Sequence, residues 1–252
     1  MKIFFTDLNS PSTSLNIDLG NFQKFLSAPE KARLGKITNI KAKRNFICGR
    51  VLIKTTLAKM LSCEAGDVVL KATANGRLEI YSPKSDLHFN ISHSNNFIAL
   101  AVSNKAVGID IEQNKDRNFL DIAEYFFSNN EFESVKKLDS NEERKRLFYY
   151  YWTIKESFVK CAGANLFDKS SNLECLIDLK SKTIQHDFEE EYQILTTNLD
   201  GEYTMSIAAK EFSNEQEFIE AKQITNLESG EFCLKKFPKK LILALDSARK
   251  DV

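Results

Sequence analysis

No run of apolar residues in this sequence approaches the roughly 18 that a membrane-spanning helix needs, so a helical membrane protein is not expected. No Cys-x-x-Cys pair occurs. The five cysteines (Cys48, Cys63, Cys161, Cys175 and Cys233) are odd in number and scattered, which argues against a disulfide framework and a zinc site and for a reducing, cytoplasmic setting. The opening Met-Lys-Ile-Phe-Phe-Thr-Asp lacks the long apolar core of a signal peptide and reads as a first strand. There is no glycine-rich dinucleotide motif and no P-loop lysine. Nothing ties Ser92 or His93 to a nucleophile elbow, so a Ser/His/Asp triad is not expected. No Pro/Gly/Ser linker and no sequence-level repeat is evident. Any two halves should therefore pack tightly rather than swing.

The most informative gap is in charge. From Lys31 to Lys59 there is no Asp or Glu, against nine basic residues: Lys31, Arg33, Lys36, Lys41, Lys43, Arg44, Arg50, Lys54 and Lys59. The protein as a whole has a formal net charge of zero, so this segment is locally unbalanced. It suits a polyanionic partner, either nucleic acid or a multiply phosphorylated small molecule; the plainer alternative is a solvated basic helix face.

What is present is ordinary globular material. The chain has 252 residues, 42% apolar and 28% charged, enough for one large domain or two of half that size. Strands are expected at Lys2–Asp7, Val68–Lys71, Leu78–Tyr81, Leu87–Ser92 and Phe97–Val102, with turns at Asn75-Gly76, Ser82-Pro83 and Asn95-Asn96. Between the first two lie a short helix near Asp18–Leu26, a start at Pro29-Glu30 and a long helix over Lys41–Leu61. A strand at Val107–Glu112 opens the second half. Helices follow at Leu120–Phe127, Asn130–Leu138 and Glu142–Ala162, then strands near Leu176–Asp178, Thr183–Phe188, Tyr192–Leu195 and Tyr203–Ala208. The last thirty-odd residues are ambiguous. The boundary falls near Ser103–Lys105, giving halves 1–103 and 104–252.

Val107-Gly-Ile-Asp-Ile-Glu112 alternates cleanly. Val107, Ile109 and Ile111 share one strand face; Gly108, Asp110 and Glu112 share the other. Two carboxylates so close repel unless a proton or cation sits between them. A hard cation such as Mg²⁺, shared with substrate phosphates, suits them, and Gly108 leaves room for a bulky neighbour. A half-buried strand with a solvated acidic edge is the plain alternative. On the late helix, Trp152, Glu156 and Lys160 are spaced four apart on one face, and Lys155 lies about a quarter-turn away. Glu156 and Lys160 also have the orientation of a simple surface ion pair. In Phe89-Asn-Ile-Ser-His-Ser94, Ser92 and His93 end a strand as donors suited to an anion or as structural groups. Asn75-Gly76-Arg77 is most simply a hairpin turn.

In order, a basic first helix, Gly-x-x-x-Ile after Asn75, Phe-Asn-Ile-Ser-His-Ser, Val-Gly-Ile-Asp-Ile-Glu and Trp-x-x-Lys-Glu-Ser-Phe-x-Lys resemble the 4′-phosphopantetheinyl transferases of the longer, surfactin-synthetase-activating type. The resemblance spans about Pro29 to Leu166, with 44 residues from Glu112 to Glu156. It implies an α+β fold of two similar halves, each an antiparallel sheet plus a long helix, related by a pseudo-twofold with coenzyme A between them. It implies transfer of the phosphopantetheine arm of coenzyme A to a serine of an apo acyl or peptidyl carrier protein, releasing adenosine 3′,5′-bisphosphate. It also implies a cytoplasmic monomer that uses no nucleic acid and no membrane. Asp110, Glu112 and Glu156 match the family's Mg²⁺ (or Mn²⁺) positions. Glu156, Glu112 and Lys160 match its catalytic ones. Lys31, Arg44, Arg50, Arg77, Ser92, His93, Lys155 and Lys160 match contacts to coenzyme A. Leu34 and Arg77-Leu78 depart from the usual pattern. The aromatic stretch Asn118–Phe132, with Phe119, Leu120, Phe126, Phe127 and Phe132, should be mostly core, with one or two rings exposed for the carrier. Two other readings compete: a different Mg²⁺-dependent phosphoryl enzyme such as a nuclease, and a degenerate relative or basic-segment module that binds carrier protein or nucleic acid.

Overall fold

The computed structural model describes residues 1–9, 19–74, 76–163, 174–179, 183–186, 192–199, 201–210, 220–226, 231–234 and 243–244. Asp18, Asn75 and the end of the strand expected at Thr183–Phe188 lie outside the described residues. The chain forms two compact units, Met1–Asn104 with Ile219–Phe237, and Lys105–Phe218 with Pro238–Val252.

In unit 1, β1 (Lys2–Asp7) is followed by the four-residue α1 (Leu19–Phe22), a 3-10 turn at Gln23–Phe25, α2 (Ala28–Lys36) and α3 (Ile40–Leu61). Then come β2 (Val69–Ala72), β3 (Leu78–Ser82), β4 (His88–Ser94) and β5 (Phe97–Ser103). β11 (Glu220–Asn226) and β12 (Glu231–Leu234) complete a five-stranded sheet, ordered β12-β11-β1-β5-β4. β11 runs parallel to β1. The 22-residue α3 starts at Asn39, whose side chain accepts from the Ala42 N–H, and stops at Ser62 in the left-handed region. Its Ile47, Val51, Leu52 and Leu57 pack with Phe4, Phe89, Ile98, Leu100 and Val102 of the sheet.

Unit 2 repeats the order. β6 (Val107–Gln113) leads to α4 (Phe119–Phe126), α5 (Asn129–Lys136) and the 22-residue α6 (Asn141–Ala162). The hairpin β7 (Cys175–Asp178) and β8 (Thr183–His186) precedes β9 (Tyr192–Leu199) and β10 (Tyr203–Lys210). With β13 (Leu243–Ala244) the sheet order is β13-β9-β10-β6, antiparallel throughout. Within each unit the leading strand pairs with the last strand of the series, which pairs with the one before it.

A shared brace strengthens that likeness, although no repeat was evident in the sequence. Ser27 and Glu30 form a capping box on α2, and Ser128 and Glu131 form one on α5. Lys54 of α3 reaches Glu30 at 2.9 Å, and Lys155 of α6 reaches Glu131 at 2.9 Å. The interval from Glu30 to Lys54 is 24 residues, and that from Glu131 to Lys155 is the same.

Candidate active site

In its sheet β6 stands beside β10. Gly108, Asp110 and Glu112 face α6, and the helix comes very close. A Cβ on Gly108 would stand 2.0 Å from the Ser157 carbonyl oxygen and 2.5 Å from the Cys161 nitrogen. The bulky neighbour that the glycine admits is therefore helix backbone. The opposite face, Val107, Ile109 and Ile111, is fully buried. The strand is buried on both faces, unlike a solvated acidic edge.

That approach brings the far turns of α6 over the acidic pair. Lys160 Nζ donates to Asp110 Oδ1 at 2.6 Å. The Asp110 side chain is 5% exposed, so this is a largely desolvated, charge-assisted bond. Lys160 thus reaches across to the strand and is not confined to an ion pair along its own helix. Burial raises the Glu156 carboxyl above its ordinary range; Lys160 draws it back down, while the charges on Asp110 and Glu112 push it up. Glu156 accordingly shares its electrostatic surroundings with both β6 carboxylates and with Lys160. Trp152, one turn earlier, stacks on Phe148 and meets Phe126 edge-on, so its ring belongs to the aromatic core.

Below these groups runs a chain of buried hydroxyls that the sequence did not flag. Thr153 Oγ1 lies 2.6 Å from Ser206 Oγ, which donates to Thr196 Oγ1 at 2.8 Å. Ser206 stands opposite Asp110 in the β6–β10 ladder. The alternation of β10 was the one available signal, since it puts Thr204 and Ser206 on a face where apolar residues would be expected.

Could the donor set hold a divalent cation? Its chemistry fits: the charges on Asp110 and Glu112 raise the proton affinity of Glu156, and Lys160 is the resident counter-charge. Among the described residues no group of three His, Cys, Asp or Glu is already arranged as a metal cage. Lys160 holds one Asp110 oxygen instead.

Lys155 is directed elsewhere. Its ammonium is buried against Glu131, whose carboxylate also accepts from the backbone N–H of Ser128 and of Cys175. Lys155, expected from the motif as a phosphate contact, is placed here in a buried ion pair. Arg50 has a similar fate within unit 1. It is 8% exposed, its Nε lies 3.0 Å from Glu30 Oε1, and its guanidinium lies over the Phe46 ring. Arg44 donates to the Leu8 carbonyl and to Asn9. Lys31 is exposed on α2 and His93 is exposed on β4, while Ser92 is buried and Arg77 is half-buried in the turn between β2 and β3. Leu34 is core. In the aromatic stretch Phe119 and Phe127 are buried, and the exposed ring is Tyr125, at 69%.

Two family models match the chain. One, the 4′-phosphopantetheinyl transferase superfamily, covers residues 106–217. The other, 4′-phosphopantetheinyl transferase, N-terminal, covers residues 15–105. A 4′-phosphopantetheinyl transferase of Bacillus subtilis is 31% identical over 167 residues, 66% of this chain and 72% of the relative. The psf-1 4′-phosphopantetheinyl transferase of Bacillus pumilus is 28% identical over 214 residues, 83% of this chain and 90% of its own. A rat L-aminoadipate-semialdehyde dehydrogenase-phosphopantetheinyl transferase is 28% identical over 198 residues, 74% of this chain and 63% of its own.

Proposed function

Because the chain belongs to the 4′-phosphopantetheinyl transferase superfamily, in its long surfactin-synthetase-activating type, we propose that it transfers the phosphopantetheine arm of coenzyme A to a serine hydroxyl of an apo carrier protein. The serine oxygen forms a bond to the phosphorus that bears the pantetheine arm. The bond from that phosphorus to the bridging oxygen breaks, and adenosine 3′,5′-bisphosphate departs. The observation that carries this reading is electrostatic. Glu156 senses the charges on Asp110 and Glu112, and Lys160 contacts Asp110, so two segments far apart in sequence contribute to one charged site.

Asp110, Glu112 and Glu156 would hold Mg²⁺ or Mn²⁺, which when bound supplies charge neutralisation on the diphosphate. Phosphoryl transfer asks mainly for positioning and charge stabilisation. Glu156, with its raised proton affinity, takes the serine proton as general base, or Glu112 does so through a water. Lys160 stabilises the departing phosphate. Its half-buried ammonium lies close enough to the carboxylates to exchange one anionic partner for another. Lys31, Arg77, Ser92 and His93 of unit 1 grip the nucleotide, with Arg44 beside them. Arg50 and Lys155 serve as braces. We place the protein in the cytoplasm as a monomer whose two halves are related by a pseudo-twofold.

The test is direct. Protein, coenzyme A, Mg²⁺ and apo carrier domains are mixed, and the carriers are weighed by intact mass spectrometry. A gain of one phosphopantetheine arm on any carrier is expected, and chelation should abolish it. No gain across a panel of fatty-acid, polyketide and peptide carriers overturns the reading.

A further inference from the structure

We infer that the buried hydroxyl pair Thr153–Ser206 is a positioning contact that sets Glu156 and Lys160 of α6 in register with Asp110 of β6. The inference rests on the transferase reading and names a part of its machinery that touches no substrate.

Apolar packing fixes how near a helix lies to a sheet, but it resists sliding along the helix axis only weakly, because it has little direction. Hydrogen bonds supply direction. Among the described residues several directed contacts join α6 to the β6 side of its sheet, beginning with Lys145 Nζ on Asp116 Oδ1 at 2.9 Å near the helix start. Tyr149 Oη accepts from the Lys115 N–H at 2.9 Å and lies 3.1 Å from its carbonyl, two turns before Glu156. Lys160 meets Asp110, but both are working groups that change partners as the diphosphate enters. Thr153 meets Ser206 one turn before Glu156, and Ser206 stands directly across the ladder from Asp110. The Thr153–Ser206 contact links the turn of α6 just before Glu156 to the row of the sheet that carries Asp110, and it does so through uncharged groups.

The pair is sealed. Thr153 and Ser206 are 0% exposed and Thr196 is 1% exposed. Ser206 donates to Thr196, which donates to the Met205 carbonyl, and the single proton of Thr153 Oγ1 has two acceptors in reach, Ser206 Oγ at 2.6 Å and the Tyr149 carbonyl at 2.8 Å. A hydrogen bond lost at such depth is not replaced by water, so a slip of the helix that breaks the pair is penalised even though each hydroxyl keeps a second partner. Valine and alanine would pack equally well and impose no such penalty. The hydroxyls thus select one register out of several that apolar packing alone would allow.

The experiment uses the whole chain with Thr153→Val, Ser206→Ala, the conservative Thr153→Ser, and Thr196→Val as a control at the far end of the same chain. Each is assayed for kcat and KM with coenzyme A and carrier, for Mn²⁺ binding without substrates by electron paramagnetic resonance, and for Tm. Thr153→Val and Ser206→Ala should lose about tenfold or more in kcat, the scale of a small misplacement of reacting groups, with KM for coenzyme A little changed. Their Mn²⁺ binding should weaken several-fold. Thr153→Ser should restore most of both. Thr196→Val should lower Tm to a similar extent yet keep its kcat. Wild-type kcat and Mn²⁺ affinity in folded Thr153→Val and Ser206→Ala overturn the inference, as does an equal loss of kcat in Thr196→Val. Should Thr153→Val fail to fold, Ser206→Ala carries the test. Absence of transfer by the unaltered protein would instead sink the transferase reading, and Mn²⁺ binding would still judge the pair.

Discussion

Replacing Gly108 with alanine puts the greatest load on the smallest change. The added methyl would lie 2.0 Å from the Ser157 carbonyl oxygen, 2.5 Å from the Cys161 nitrogen and 3.1 Å from its Cα. Ordinary contact begins near 3.4 Å. All three obstacles are main chain, so no rotamer change relieves them. β6 and α6 must part by more than 1 Å along that line, or the strand must twist out of its ladder. Overpacking a core costs about 1–3 kcal/mol, and backbone on both sides puts this site at the upper end. At about 2–4 °C per kcal/mol for a chain of this size, a 3 kcal/mol loss lowers Tm by roughly 6–12 °C. The functional loss should be larger. A shift of about 1 Å between Glu156 and Asp110 costs on the order of 100-fold in rate. The assay pairs a circular-dichroism melt with carrier loading by mass spectrometry. Gly35→Ala is the control, because a Cβ there meets nothing within 4 Å. A Gly108→Ala protein that melts and turns over like the parent would refute the close approach and, with it, the assembly of the site.

Glu156→Gln and Asp110→Ala should each abolish carrier loading while leaving a folded protein that still binds coenzyme A; normal turnover in either, measured by carrier mass, removes them from the chemistry. Lys155→Met leaves the Glu131 charge buried without its ammonium, a loss of about 3–5 kcal/mol that should appear in the melt. Were Lys155 a phosphate contact, the change would appear instead as a raised KM for coenzyme A at nearly constant Tm. Glu30 supplies a pH prediction. Burial pushes its carboxyl up, but Lys54 and Ser27 more than offset this and hold it below 4.5. Its stabilisation is therefore complete above pH 4.5 and is lost as pH falls through the lower folded value, so Glu30→Gln should flatten the acid limb of a stability-versus-pH series. An unchanged acid limb would show that Glu30 is not held down in the folded protein.

Much of the second unit was legible because period carries information. Alternation over Val107–Glu112 assigned the faces of β6, and fourfold spacing put Trp152, Glu156 and Lys160 together on α6. Strand β9 ran four residues beyond the expected Leu195, since Thr196 and Thr197 interrupt the apolar pattern although both are buried. The tail was illegible for a different reason. β11 pairs in parallel with β1, more than 200 residues earlier, and no local pattern encodes a partner so distant. The ion-pair partner of Lys155 was not foreseen because a helical wheel gives an angle but not a neighbour. The neighbour was written in the capping box Ser128-x-x-Glu131, whose glutamate also reaches back to the helix start. The partner of Arg50 was written in the same way, in Ser27-x-x-Glu30. In both cases a basic residue in a motif was committed to a carboxylate that the sequence had placed at the start of a helix.

The paired braces have one more consequence. Next to Lys54 comes Thr55, whose hydroxyl turns back to the Val51 carbonyl and closes on its own helix. Next to Lys155 comes Glu156. Where the two units carry the same support, the next side chain is a threonine closed on its own helix in one and the proposed general base in the other. The lysine-glutamate strut is thus a foundation common to both units, on which each carries a different neighbour.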